Sequence, residues 1–483
     1  MVVDRLYGAK KGDVSSGFEF SGEVLRRALR NIYSQNFHPA TDIEINLFNE
    51  ICDKIDEAAR KGFDESAVDP DDDFRNAILR NNEVFAAFKV HRMQNDMARL
   101  LLDSNGNLKP FGQWRKEVMP IASHQVGHWL RTEYNTAVLR AHQAADWQQF
   151  EREKDVLPNL RWMPSTSVNP GKDHMVFWNT VRPIDDPFWS QHRPGDRWNC
   201  KCDLSSTDDP VTEIPGFTTK DNPHPGLDNN PGKDGIIFSD SHPYFPKDCK
   251  YCSFYQPKLS DTLLKVFTGR RKNCYACRFI NQGIEQSLKK ERRRRNWAEY
   301  NRLKRDEQYT DVFFDKKSGG LKATHVGHIT HDSPKAERFF EGLTSSDLER
   351  ECQDQLVSMG HKALLCDESK KEKGNFVPAL DILVDDILMD IRSVTGHGWY
   401  SNIFVSKNDQ LRRFNRRKDI TDKADSLCLY FHDPALFNEE KMEKSINYFR
   451  FYRDLSGELI DRELKHVYCV IRGRDRVIKY DII

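Results

Sequence analysis

The chain has 483 residues, 74 acidic and 74 basic, so bulk charge singles out neither nucleic acid nor a membrane surface as a partner. Charged residues make up 31% and apolar residues 38%, which suits a modular chain of roughly three domains at about 150 residues each. No apolar run approaches the ~20 residues of a membrane helix, and the stretch Met1 to Asp13 lacks the hydrophobic segment of a secretory signal, so a cytosolic origin without a membrane partner is expected.

Residues 1–110 read as a helical region. Ser21 is placed to cap a helix with Val24, Leu25, Leu29 and Ile32 on one face. A second helix is predicted from Ile43 to Ala59 through Ile45, Leu47, Phe48, Ile51 and Ile55. The acids of Asp69 to Asp73, with Pro70 among them, suit a helix start, and apolar residues then recur from Phe74 to Leu102. Beyond the Asn105-Gly106 turn a further helix is expected from Ile121 to Lys154, ended by Pro158. Over 156–247 proline and glycine become frequent among Trp162, Phe177, Trp178, Phe188, Trp189 and Trp198, which predicts short strands and turns around buried aromatics. Pro215 to Gly235 reads as a loop.

Six of the eleven cysteines form close pairs. Cys249/Cys252 and Cys274/Cys277, over a loop segment spanning 216–280, present two thiolates each and suit a structural zinc, while chance pairing and a disulfide stay open. Cys200 and Cys202 are too close to complete a tetrahedral site; Asp173, His174 and His192 are candidate further ligands, against a tryptophan-packed knot with two buried thiols. Residues 281–335 read as a charged helix, a short hairpin and a linker. The helix run Lys289, Lys290, Arg292, Arg293, Arg294 and Arg295 suits nucleic-acid phosphates or a solvated face.

Residues 336–483 have the pattern of a small α+β domain. A helix from Asp347 to Met359 ends at Gly360. Strands follow at Lys362 to Cys366, Leu380 to Val384, Ile387 to Val394 and Ser426 to Phe431. A helix from Asn438 to Leu455, a strand from Lys465 to Arg472 and a closing strand from Val477 to Ile482 complete the domain. The fold class expected is α+β and multidomain, with a helical N-terminal region, a Cys/Trp-rich irregular middle and this C-terminal domain.

Several motifs occur in a fixed order: Trp129-Leu-Arg-Thr-Glu-Tyr-Asn135, Asp173-His174, Val181-Arg182-Pro183, Asp185-Asp186-Pro187-Phe188-Trp189, and Pro194 to Cys202 with its Trp198-Asn-Cys-Lys-Cys ending. This series, from about Phe111 to Pro210, resembles the Mu-F-like phage head morphogenesis (minor head protein) family, so that 111–215 would be one domain. The resemblance implies a non-catalytic minor capsid component near the portal. Its partners would be portal and capsid proteins, its role head assembly or DNA packaging, and its location the virion or the host cytoplasm during assembly. Two features depart from the family pattern: Val168 to His174 is scrambled, and Lys201 stands where arginine is common.

A second resemblance covers Leu356 to Ile483. Gly360-His361 at a strand start, an acidic strand pair, a Ser/Asn-rich turn and a basic final hairpin are similar to the tRNase domains at the C-termini of contact-dependent inhibition toxins. This implies an RNA-cleaving domain with tRNA as the substrate. The related metal-dependent nuclease pattern has an Asp followed about ten residues on by Asp/Glu-x-Lys; here stand Asp381 and Asp390-Ile-Arg392, with arginine for lysine. Arginine stays protonated and serves poorly as a general base. His397 and His432 are the imidazoles available for a metal-free route. A non-catalytic tail, with Asp381 and Asp390 as solvated strand ends, is the alternative.

Overall fold

Local signals start the N-terminal helices where the sequence expects them. In the computed structural model, which describes residues 19–34, 37–168, 170–256, 272–330, 342–421, 423–453 and 457–482, α1 (Gly22–Tyr33) begins at Ser21, whose side chain accepts from the Val24 amide at 3.3 Å. Next come α2 (Ile45–Glu65) and α3 (Asp72–Ala98), the latter capped by Asp71, which accepts from the Phe74 amide at 2.8 Å. Then α4 (Phe111–Ser123) passes through a π-helical turn (His124–Trp129) into α5 (Leu130–Glu153). Helical structure therefore starts well before the expected Ile121, with Pro120 inside α4. The wider turn just after it accommodates the irregularity that a mid-helix proline imposes.

The chain divides into two units, Met1–Ser287 and Leu288–Ile483. In the first, α2 and α5 cross closely at Gly62, where an added Cβ would lie 2.3 Å from the Val138 carbonyl oxygen and 2.7 Å from Ala141 Cβ. The region after Pro158 forms a three-stranded antiparallel sheet with β1 (Asn159–Met163) between β2 (Val181–Pro183) and β3 (Asp203–Thr207). Trp147, Trp162, Phe177, Phe188, Trp189 and Cys202 pack on it as a separate apolar cluster. α6 (Arg278–Leu303) carries the chain into the second unit.

The second unit is an eight-stranded sheet whose strands lie in chain order. They are β4 (Tyr309–Phe314), β5 (Leu321–His325), β6 (Lys362–Leu365), β7 (Ile382–Val384), β8 (Ile387–Ser393), β9 (Ser426–Phe431), β10 (His466–Ile471) and β11 (Ile478–Asp481). Pairs β5/β6, β8/β9 and β9/β10 are parallel; the others are antiparallel. The β4–β5 hairpin thus belongs to this sheet. Every residue of β9 is buried, as a central strand covered on both faces requires. Cys428 and Tyr430 face α7 (Ser345–Ser358), while Leu427, Leu429 and Phe431 face α8 (Tyr400–Asn415) and α9 (Glu439–Arg450). α8 stands where the sequence suggests only a Ser/Asn-rich turn.

Candidate functional site

In the first unit the loops of the motif series are gathered by Arg140, on α5. It is fully buried, and its guanidinium donates to the carbonyls of Ile237 (2.6 Å), Gly195 (2.8 Å), Leu227 (3.3 Å) and Asn229 (3.1 Å), and to Asn229 Oδ1 (2.6 Å). Gln143, one turn on, donates to the Cys202 carbonyl at 3.1 Å. Gly195 adopts φ +80° beside Gln143 and Arg140, a conformation and a space that suit glycine.

This scaffold brings together three of the five candidate ligands in the Cys200/Cys202 region. His174 Nδ1 lies 3.2 Å from Cys200 Sγ and 3.6 Å from Cys202 Sγ. On its other side His174 Nε2 is 2.6 Å from Asp196 Oδ1, and that carboxylate also pairs with Arg197 at 3.1 Å. Burial opposes protonation of His174, but its bonds to Asp196 and Cys202 outweigh it and hold the imidazole up at about 9. The bond from Cys200 lowers Cys202 to about 4 against burial, and His174 and Trp162 help. Burial, with Cys202 next, pushes Cys200 well up. The ligand atoms of His174, Cys200 and Cys202 lie within 4.8 Å of one another, and a carboxylate backs the histidine, as in many metal centres. His192 does not join them; it stacks on Phe177 and meets Phe217 edge-on. The Asp173 side chain lies outside the described residues. A second such group, His142, Asp146 and Asp203, was missed from sequence. Its signal is the i,i+4 spacing of His142 and Asp146 on α5, which are 3.3 Å apart.

The two Cys-x-x-Cys pairs approach through Cys252, which feels the charges of Cys277 and Cys249, while Cys274 feels that of Cys252. Among the described residues no three of these sulfurs come within 4.8 Å of one another. The basic run is partly tied down within the second unit. Arg292 bonds His361 Nδ1 at 2.8 Å, Arg293 donates to the Lys316 carbonyl at 2.7 Å, and Arg294 and Arg295 pair with Glu291 at 2.8 and 3.2 Å. Lys289 and Lys290 are exposed.

Asp381 and Asp390 are brought together, not left as solvated strand ends. The pairing of Ile382 with Met389 sets them side by side, and Asp381 Oδ2 accepts from the Ile391 amide at 2.7 Å. Burial, then the Asp390 charge, pushes the Asp381 carboxyl well above the usual range. Arg392 and His397 are exposed. His432 is buried, 2.5 Å from Glu351 through Nδ1 and 3.0 Å from Arg472 through Nε2. Asp390 pairs with Leu427 across β8 and β9, so His432 stands roughly 16 Å along the strand at about 3.3 Å per residue.

Residues 109–205 match the family described as Phage Mu protein F like protein. The putative capsid assembly protein F of Escherichia phage Mu is 26% identical over 102 residues, which is 20% of this chain and 23% of that protein. The chain thus aligns with less than a quarter of this relative's length. No solved structure matches.

Proposed function

We propose that this chain is a minor head protein of a phage or prophage, acting near the portal in capsid assembly or DNA packaging. The observation that carries this reading is the ordered motif series from Trp129 to Cys202, which lies within a Mu F-like domain and folds as one knot around Arg140 and His174. Its partners are the portal and capsid proteins, and the exposed ammonium of Lys289 suits the phosphates of packaged DNA. The virion, and the host cytoplasm during assembly, is its location. Pull-down of the portal protein by the tagged full chain, with loss of capture on deleting 109–205, is the expected result; equal capture without that span would contradict the reading.

The reading includes structural zinc. His174, Cys200 and Cys202 supply an imidazole and two sulfurs at ligand spacing, and zinc there would cross-link β3 to the loop before β2. Cys249, Cys252, Cys274 and Cys277 would take a second zinc by closing further around Cys252. Metal analysis of the full chain should find zinc that falls by one equivalent in Cys200→Ser/Cys202→Ser and by another in Cys249→Ser/Cys252→Ser. Unchanged content in either variant removes that site.

A second reading, cleavage of RNA such as tRNA by residues 336–483, is favoured by the adjacency of Asp381 and Asp390. Expression of the chain should then slow bacterial growth with loss of intact tRNA, relieved by Asp390→Ala. Harmless expression with intact RNA would sink it.

A further inference from the structure

A half-exposed tryptophan stands among cations on the outer side of α6. We infer that α6 and the β4–β5 turn form a platform for an unpaired stretch of RNA, with a base stacked on Trp297 and flanking phosphates on Arg293, Lys316, Lys317 and Lys304. The choice of RNA rests on the second reading above.

Within the second unit α6 turns Asn296 and Leu303 inward. Asn296 donates to the carbonyls of Gly319 (2.9 Å) and Gly360 (3.2 Å), and Leu303 is buried with Leu321, Ala323 and Leu364. Arg293, Trp297, Tyr300 and Lys304 recur at helical spacing and so form one stripe beside that inward face. Two rings hold the indole in place. Trp297 stacks on Tyr300 with centroids 5.4 Å apart and meets Phe314 of β4 edge-on at 5.1 Å, yet it stays 47% exposed. A ring fixed in this way loses little freedom when a flat partner lands on it, and every nucleobase has such a face.

Cations flank this ring pair at both ends. At one end Arg293 donates to the Lys316 carbonyl at 2.7 Å, and its stem packs on the turn, where a Cβ on Gly319 would lie 2.8 Å from Arg293 Cγ. That close approach fixes exposed Lys316 and Lys317 beside Arg293. At the other end the Lys304 amide bonds the Tyr300 carbonyl at 3.0 Å, and its ammonium lies 5.8 Å from the centre of that ring. From Arg293 to Lys304 is about 16 Å at ~1.5 Å per residue, room for several phosphates at ~3.4 Å or more apiece. The neighbouring arginines are engaged: Arg294 and Arg295 with Glu291, Arg302 with Glu299. Among the described residues Arg293, Lys304, Lys316 and Lys317 form no ion pair. Asp315, the acid of the turn, accepts from the amides of Lys317 at 2.9 Å and Ser318 at 3.2 Å.

Phosphate attraction alone would serve a duplex as well as a single strand, and the ring pair selects between them. Bases in a duplex are stacked on one another and withhold their faces, whereas RNA loops splay them out. Of the nucleic acids that the two readings place with this chain, duplex DNA withholds its bases and a folded RNA such as tRNA exposes them in loops.

The test uses the full chain and the fluorescence anisotropy of a labelled RNA hairpin with an unpaired loop, against blunt RNA and DNA duplexes. The wild type should bind the hairpin at least tenfold more tightly than either duplex. Trp297→Leu keeps an apolar cover on Phe314 and removes the indole face. It should weaken hairpin binding at least fivefold, the low end of what one lost base stack costs, with the salt dependence unchanged, and Trp297→Phe should restore most of the loss. Lys316→Gln/Lys317→Gln should weaken the hairpin and flatten the log–log salt slope by about 1.4, at ~0.7 for each lost phosphate contact. Thermal melts confirm that each variant is folded. No binding of the hairpin, equal affinity for the hairpin and a duplex, or unchanged affinity in folded Trp297→Leu overturns the platform. Gels of the same samples separate the platform from the cleavage reading. A hairpin bound but uncut keeps the platform and counts against cleavage. A hairpin cut while its binding is unchanged in Trp297→Leu overturns the platform and leaves the cleavage reading standing.

Discussion

Arg140 carries the knot because its donors meet loop oxygens only, with no helix partner sharing the work. Arg140→Met would preserve the apolar stem and leave the carbonyls of Gly195, Leu227, Asn229 and Ile237 short of a buried donor. An unsatisfied buried acceptor costs about 1–3 kcal/mol, so a loss of at least about 3 kcal/mol is expected, read by urea unfolding. His328 offers a second test at this scale. Burial opposes its protonation, but Glu349 and Glu368 outweigh burial and hold it up at about 9. Its folded value thus exceeds the unfolded one of about 6.5, so its contribution is fully present below about pH 6.5 and is lost as pH rises through about 9. The wild-type melting temperature should fall across that window by more than that of His328→Gln; parallel curves would show that the histidine is not paired in solution.

Among the elements, the α2–α5 crossing depends on the missing side chain at position 62. Alanine favours helix over glycine by about 1 kcal/mol. Here, however, the added methyl would meet the backbone of α5, a neighbour that cannot swing away. Gly62→Ala should therefore destabilise the first unit by about 1–3 kcal/mol, the usual range for overpacking, in a thermal melt. Caps and strand runs were legible because they are local: Ser21 and Asp71 start their helices, and Ser426 to Phe431 is a strand over its whole length. The helix α8 was not legible. Trp399 gives it no side-chain cap, and its inward stripe of Tyr400, Phe404 and Leu411 is broken by Asn408. Asn408 is buried because it bonds the Asp461 carbonyl at 2.9 Å and the Glu463 amide at 2.8 Å, long-range partners that no local pattern reveals. With α8 hidden, so was Lys407, which pairs from that helix with Asp390. Likewise the spacing of His174, Cys200 and Cys202 gave no geometry; the Met163–Asp203 register and the Arg140-held loops bring them together.

For the whole molecule, the sequence divides its information unevenly. The span from about Phe111 to Pro210 was readable from motif order, and the family match, residues 109–205, covers nearly the same stretch. In the second unit the strand runs and the two aspartates were readable, but their adjacency rests on the register between neighbouring strands of the eight-stranded sheet. A head protein and a nucleic-acid-cleaving unit are compatible on one chain, since a particle that carries the protein would also deliver it. The most direct measurement of the central claim is quantitative mass spectrometry of purified assembling heads and finished particles from the parent phage or induced prophage. The account predicts this chain in both, at few copies against the major capsid protein, and its loss from heads when Arg140→Met and Cys200→Ser/Cys202→Ser disrupt the knot. Its absence from both particles would contradict the account.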